Sequence, residues 1–499
     1  MAADLRESPR FVVPRWRTHN SFLSLPEHDP LKSGAHLLVL DHRSNAQFEE
    51  LTVAWKENPT FSFAADLISA ALVIGKQSEA IDAAEYVLQN REASTPASIF
   101  LAEKVLGIKH LITPIFESRS NTQIIRSELC LLKKHVRDRT FNPFSWADLA
   151  FCYQVVGCRE KAERCLTTAL SLAPENRFII RATCRMYLHN DDPERALRVL
   201  HRAKAIKSDP WLLAAEIAVC TSTKKTSRLL RDARGLVESG HFEPLHLSEL
   251  QSALGTFTAQ QDTSKKALKL IRSSIIAPTE NAIAQAAWFS RFFNVEINDT
   301  FNEELTLSAE ANAYDHFLDA RWSSALDESQ KWWCDQRFSS RPPLLASYIA
   351  SLTNDFFESI KICKAALKAN PEDSTLRNNL AFALAKSGDI KGARPELAKA
   401  RRNSADDGQE AVLDATEGLI LFREGKFLEA TTKYKSAMDY FASCGEKLQY
   451  ARAYLNYAIE ALKYDKTNCT IVLMEIEKLG IRRADVDLLK AQVIALCKS

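Results

Sequence analysis

Apolar positions along this chain recur at helical spacing almost from end to end. Residues 46–57, 61–74, 77–91, 97–107 and 121–136 each set their large side chains three and four apart, which predicts a run of amphipathic helices. The same pattern predicts helices over 264–276, 279–293 and 321–337, where Trp322, Trp332 and Trp333 give the last an aromatic face. Three more follow over 446–463, 467–479 and 483–497. Thr95-Pro96 makes a good start for the 97–107 helix, a capping residue followed by Pro in the first turn. His36–Asp41 (HLLVLD) is the one short run that reads as β-like.

The helices repeat. Tyr153, Ala162, Leu166 and Ala169 return about 34 residues later as Tyr187, Ala196, Leu200 and Ala203, each in the same size class. Ala366 steps by the same interval to Ala400, while Gly388, Ala393, Leu397 and Ala400 return as Gly425, Ala430, Tyr434 and Ala437. A further trace lies at Gly75 and Ala80. Small residues such as Ala150, Ala162 and Ala169 let two helices approach closely, and Trp146, Tyr153 and Leu166 fill the gaps between pairs. Gly157 falls just past the first helix, where a left-handed residue is needed.

Trp146, Leu149, Ala150, Tyr153, Gly157, Ala162, Leu166, Ala169 and Pro174 together resemble the tetratricopeptide repeat. Ala150 stands where that signature usually has Gly, and Leu166 where it has Phe. The resemblance implies a superhelical stack of antiparallel helix pairs with a concave face lined by the first helix of each pair. From residue 46 onward there is room for roughly 13 pairs, and the chain reads as one solenoid.

Composition narrows this further. The chain has 499 residues but only 14 glycines and 17 prolines, about half the usual share of glycine, so tight turns and phosphate-cradling loops are scarce. Lys and Arg number 65 against 63 Asp and Glu, which supplies no global drive towards nucleic acid or an anionic membrane. No apolar run reaches the ~18 residues that span a bilayer; Leu67–Ile74 is of the longest kind. No transit or signal pattern opens the chain, so the cytoplasm is expected. Eleven cysteines without a C-x-x-C pair, among them Cys152, Cys165, Cys184, Cys363 and Cys497, read as small buried hydrophobes. His241 and His246 are the nearest approach to a zinc pair, and a second pair is missing nearby. Nucleotide, zincin and hydrolase motifs are absent, and Glu303-Glu304 and Asp406-Asp407 are explained as solvated or capping acids.

Two constellations are candidates for recognition. Arg177, Arg181 and Arg185 form a basic rung on one helix face, inside an interval 177–234 that holds 13 Lys and Arg against 6 Asp and Glu. This rung suits an acidic partner segment or a chain-terminal carboxylate, or else it is a solvated outer face. Asn379 and Asn456 take the same place before the Leu/Tyr-Ala packing pair, where the resemblance implies an Asn that holds a ligand backbone. Tyr348, Phe382, Phe422 and Arg423 are expected on the same side. The alternatives are that these Asn bond within the solenoid, or that the groove holds a segment of the protein itself.

The first 45 residues differ, with Pro9, Pro14, Pro26 and Pro30, aromatics Phe11, Trp16 and Phe22, and basics Arg10, Arg15 and Arg17. They read as a frayed tail or as an extended arm, packed either on its own solenoid or on a partner. The expectation is an all-α, superhelical α-solenoid of tetratricopeptide-like pairs behind this Pro-containing arm. Its divisions are the arm (1–45), N-terminal helical repeats (46–140), tetratricopeptide-like repeats (141–210), degenerate repeats (211–340), and C-terminal repeats with capping helices (341–499). The expected function is a non-enzymatic scaffold, without cofactor or metal, binding a partner protein or peptide in its concave groove. The alternative is a regulatory or sensor subunit that controls a separate effector enzyme, for example in a prokaryotic stress or antiviral complex. Nucleic acid and membrane are not expected partners.

Overall fold

The structure, a computed structural model, describes residues 10–17, 42–74, 76–91, 94, 96–107, 121–138, 140–261, 265–297, 305 and 307–498. Among these residues every regular element is helical and no strand occurs. Most of the proline-containing N-terminal stretch, the run His36–Asp41, Gly75, Thr95 and Glu303-Glu304 lie outside the described residues. The described residues form two compact units, one within Pro9–Ala311 and one within Asn312–Ser499.

In the N-terminal unit the first helices of successive pairs are Pro143–Val155, Arg177–His189, Pro210–Ser222, Pro244–Gln261 and Glu280–Phe293. Each of the first four packs on its own second helix and on the first helix of the next pair. Their starts are written locally. Asn142-Pro143 and Asp209-Pro210 each set a side-chain acceptor on the free N–H groups of the first turn, with Pro where its missing N–H costs nothing. In the C-terminal unit the pairs are Arg341–Leu352 with Phe356–Ala366, Ser374–Ser387 with Ile390–Arg402, and Asp407–Arg423 with Phe427–Ser443. Lys447–Tyr464, Cys469–Lys478 and the final Ala484–Lys498 complete it. The helices expected at 61–74, 279–293, 446–463 and 483–497 match these bounds to within a residue or two.

A left-handed residue follows the first helix in pair after pair. Gly157, Gly388 and Gly425 take it with φ of +76°, +94° and +77°. Asp191, Lys224, Ala320 and Asn354 take it at φ of 57–65° after helices that end at His189, Ser222, Leu318 and Leu352. An L-residue there costs roughly 1–2 kcal/mol, and the packing of the two helices it joins holds it in place. So few glycines suffice for so many turns.

Close approach within a pair depends on small residues. A Cβ at Gly418 would lie 2.6 Å from Tyr434 Cδ2 and 3.1 Å from Ala430 O, so the two helices meet at van der Waals contact only because the side chain is missing. Tyr434 is fully buried and has no room to retreat. Gly418→Ala is therefore expected to cost about 1–3 kcal/mol by overpacking, read as a lower urea midpoint with an unchanged slope.

Of the five cysteines named above, Cys152, Cys165, Cys184 and Cys363 are buried and Cys497 is half-buried, all as free thiols. His246 packs edge-on to Trp211, and no group of metal-ligating side chains forms among the described residues. No described helix is long and apolar enough to cross a membrane.

Candidate functional site

The basic rung on Arg177–His189 meets acids supplied by the following repeats. Arg177 is buried and donates from Nε to Asp209 Oδ2 at 2.7 Å; burial pushes its pKa down and Asp209 opposes that. Arg181, 4 % exposed, donates to Glu249 Oε2 at 2.8 Å and to the Trp211 carbonyl at 3.1 Å, with its guanidinium 5.1 Å from the Trp211 ring centre. Arg185 is half-buried. His189 is pushed down to about 3, chiefly by burial and then by the Arg185 and Arg159 charges.

The second constellation comes together in the C-terminal unit. Tyr348, Asn379, Phe382 and Asn456, from three different first helices, line one hollow with Lys386 and with Leu489 and Gln492 of the last helix. The hollow encloses about 480 Å³ of atom-free space, including its open mouth.

Hydrogen bonding fixes how the two Asn amides face. Asn456 Nδ2 donates to the Arg452 carbonyl at 2.9 Å, an atom that only accepts. Asn379 Nδ2 lies 3.2 Å from Ser347 Oγ, whose own proton goes to the Leu344 carbonyl. Both amides therefore turn Nδ2 into the protein. Asn379 Oδ1 is buried and has no partner among the described residues, a state that costs about 1–3 kcal/mol until a donor arrives. The Tyr348 hydroxyl donates to Asp485 Oδ2 at 2.9 Å, and burial pushes its pKa up.

Lys386 adds charge. Its Nζ lies 2.6 Å from Glu460 Oε1 and 5.4 Å from the Phe382 ring centre. Burial lowers its pKa to about 8, against the pull of Glu460. Arg423 and Lys463 reach the same carboxylate at 3.0 and 3.1 Å, so three cations surround one buried anion. Arg423 thus sits one residue back from the hollow rather than in its wall. Phe422 is also outside the wall: it is 3 % exposed and packs among Tyr434, Tyr457, Tyr464 and Phe427.

Sequence reasoning missed Lys386, although Asn379, Phe382 and Lys386 stand at i, i+3 and i+7 on one helix face, a pattern that was there to be read. Leu489 and Gln492 carry no such signal, because they arrive from a helix more than a hundred residues further along.

No family model matches the chain, and no curated protein matches it. Among solved structures it is similar to yeast Tom70 at 13% identity over 76% of this chain and 92% of that one, with a TM-score of 0.31. It is also similar to the APC/C hetero-tetramer Cut9–Hcn1 at 13% identity over 95% and 98% of the two chains, TM-score 0.35. A third is the human IFIT1 dimer with PPP-AAAA, at 10% identity over 97% and 98%, TM-score 0.28. At these scores and identities, nothing those proteins do transfers to this chain. What stands is that the described residues form repeated antiparallel helix pairs, without a sheet, barrel or metal cluster among them.

Proposed function

We propose that the chain is a tetratricopeptide-like interaction scaffold that binds an extended peptide of a partner protein in the hollow between Tyr348, Asn379, Phe382 and Asn456. The observation that carries this reading is the buried Asn379 Oδ1, an acceptor left open in the wall of the hollow. A peptide N–H completes it whatever the side chain beside it. Phe382 offers an apolar contact, and the local surplus of Lys386, Arg423 and Lys463 over Glu460 favours a peptide that carries an acidic group. The expected role of the two Asn is thereby narrowed: their oxygens accept, while their Nδ2 groups serve the fold. Arg181 lies in the other unit, paired with Glu249, and Arg185 is half-buried there.

An array of extended acidic peptides tests the proposal. Ligands selected on the wild-type chain should lose about tenfold or more in affinity to the Asn379→Ala, Asn456→Ala double variant, the effect of one or two hydrogen bonds. Asn403→Ala, whose amide bonds the Glu372 carbonyl in the turn before Ser374–Ser387, should leave binding unchanged. Lys386 loses its charge as pH rises through about 8, so affinity for acidic peptides should fall between pH 7 and 9. Failure of the array to yield a ligand, or indifference to the double variant, removes the proposal.

A further inference from the structure

The first-helix face of the N-terminal unit is occupied by the chain itself. Residues 10–17 run across it without helix or strand, and Arg10, Val12, Pro14 and Trp16 are buried while Phe11, Val13 and Arg15 are only half-buried. That alternation is the signature of an extended backbone lying against a wall. The wall treats the segment as a ligand. Gln285 Nε2 donates to the Arg10 carbonyl at 2.8 Å, and Asn281 Nδ2 to the Val13 carbonyl at 3.0 Å. Two amides on adjacent turns of Glu280–Phe293 thus hold a peptide backbone, independent of its side chains.

Side-chain selection comes from two carboxylates, Glu310 and Glu280. Arg10 forks onto Glu310, Nε to Oε1 at 2.8 Å and Nη2 to Oε2 at 3.0 Å, and reaches Gln285 Oε1 and Asn281 Oδ1 at 2.9 and 2.7 Å. Arg15 bonds Glu280 at 2.6 Å, and Arg17 bonds the same carboxylate. Glu249, fixed by Arg181, braces Asn281 from behind at 3.3 Å. Trp16 is fully buried edge-on to Phe151, with ring centres 5.4 Å apart, and Val12 enters the apolar cluster of Leu213, Ile217 and Leu250. A segment that served only to cover core would not need three arginines matched to two acids, Glu280 and Glu310, and two backbone-holding amides.

We propose that this face is a peptide-binding groove for extended basic segments, and that residues 10–17 are its displaceable internal ligand. The partner it fits has Arg at the first position, a small apolar residue two later, then Pro-Arg-aromatic-Arg from the fifth to the eighth. This chemistry is opposite to that of an acidic partner, because the rung at Arg177 and Arg181 is neutralised from within and the charges that meet the segment are those of Glu280 and Glu310. Until a partner arrives, the tethered segment competes at high effective concentration and keeps the groove shut.

The test uses the full chain and a fluorescein-labelled peptide of residues 9–18. A chain carrying Arg10→Ala, Arg15→Ala and Arg17→Ala should bind the peptide saturably in fluorescence anisotropy, about tenfold or more tighter than the wild-type chain does. Adding Glu280→Gln and Glu310→Gln should cost about tenfold or more, as loss of charge-assisted bonds implies. Absence of saturable binding by a triple variant with wild-type circular dichroism overturns the proposal. So does wild-type binding as tight as the variant's. If the triple variant does not fold, a protease site placed within residues 18–41 of the otherwise wild-type chain decides. After cleavage, exchange of the cut segment for excess labelled peptide supports the proposal, and a segment that never exchanges is a fixed part of the core and refutes it.

Discussion

Arg452→Ala is expected to destabilise the C-terminal unit by about 3–5 kcal/mol, the range for removing one partner of a buried ion pair. Arg452 and Asp485 are both fully buried, with Nε 2.9 Å from Oδ2 and Nη2 on the same oxygen. Arg452 lies in Lys447–Tyr464 and Asp485 opens Ala484–Lys498, so the pair fastens the last helix to the repeat before it. The Arg452 guanidinium also covers the Tyr348 ring at 5.3 Å, and Tyr348 bonds the same carboxylate. Burial alone would raise the Asp485 pKa, but Arg452 and Arg483 outweigh it and hold the carboxyl below its ordinary range. A depressed carboxyl contributes stability that is present above the unfolded pKa and lost as pH falls through the folded one. The cost of Arg452→Ala should therefore be constant from pH 5 to 8 and shrink in acid. Urea titration followed by circular dichroism reads the midpoint, and hydrogen exchange should locate the loss in 484–498. A hydrophobic pair at both positions should recover much of it, since the penalty comes from the orphaned charge.

Trp211→Ala should cost about as much, ~3–5 kcal/mol, by a different route. Trp211 is 2 % exposed, one of the largest buried side chains. Its ring underlies Arg177 and Arg181 at 5.9 and 5.1 Å, and its carbonyl accepts from Arg181. Truncation leaves a cavity and strips the ring from two buried cations that pair with Asp209 and Glu249. Trp211→Phe should restore about half of the loss, because the ring face remains. Denaturation midpoints of the three proteins check this, and equal midpoints for Ala and Phe would rule out the stacking contribution.

Both expectations bear on how far the site was legible beforehand. Asn379, Phe382 and Asn456 were found from their place in the repeat, and the structure sets them around one hollow with Tyr348. Phe422 was drawn from the same face of the pattern but belongs to an aromatic cluster, because its helix turns that position towards Phe427–Ser443. Arg177 and Arg181 looked like surplus charge because a count over 177–234 includes Asp209 but not Glu249, and cannot say which acid each arginine meets. Nothing local in residues 10–17 names Glu280, Asn281, Gln285 and Glu310 as their partners, more than 260 residues away.

By itself the amino-acid sequence determined the helices, their pairing and their period. Those features are set by interactions within a few residues: apolar spacing at i, i+3 and i+4, an Asx-Pro pair at a helix start, a glycine at a turn. Tertiary structure alone decided which turns do without glycine, which charges cancel and which face is already filled. Asp191, Lys224, Ala320 and Asn354 hold a left-handed backbone because the flanking helices enforce it, and no residue type announces that. Charge pairing and groove occupancy depend on contacts between distant segments, whose energies act through space and leave no period in the chain.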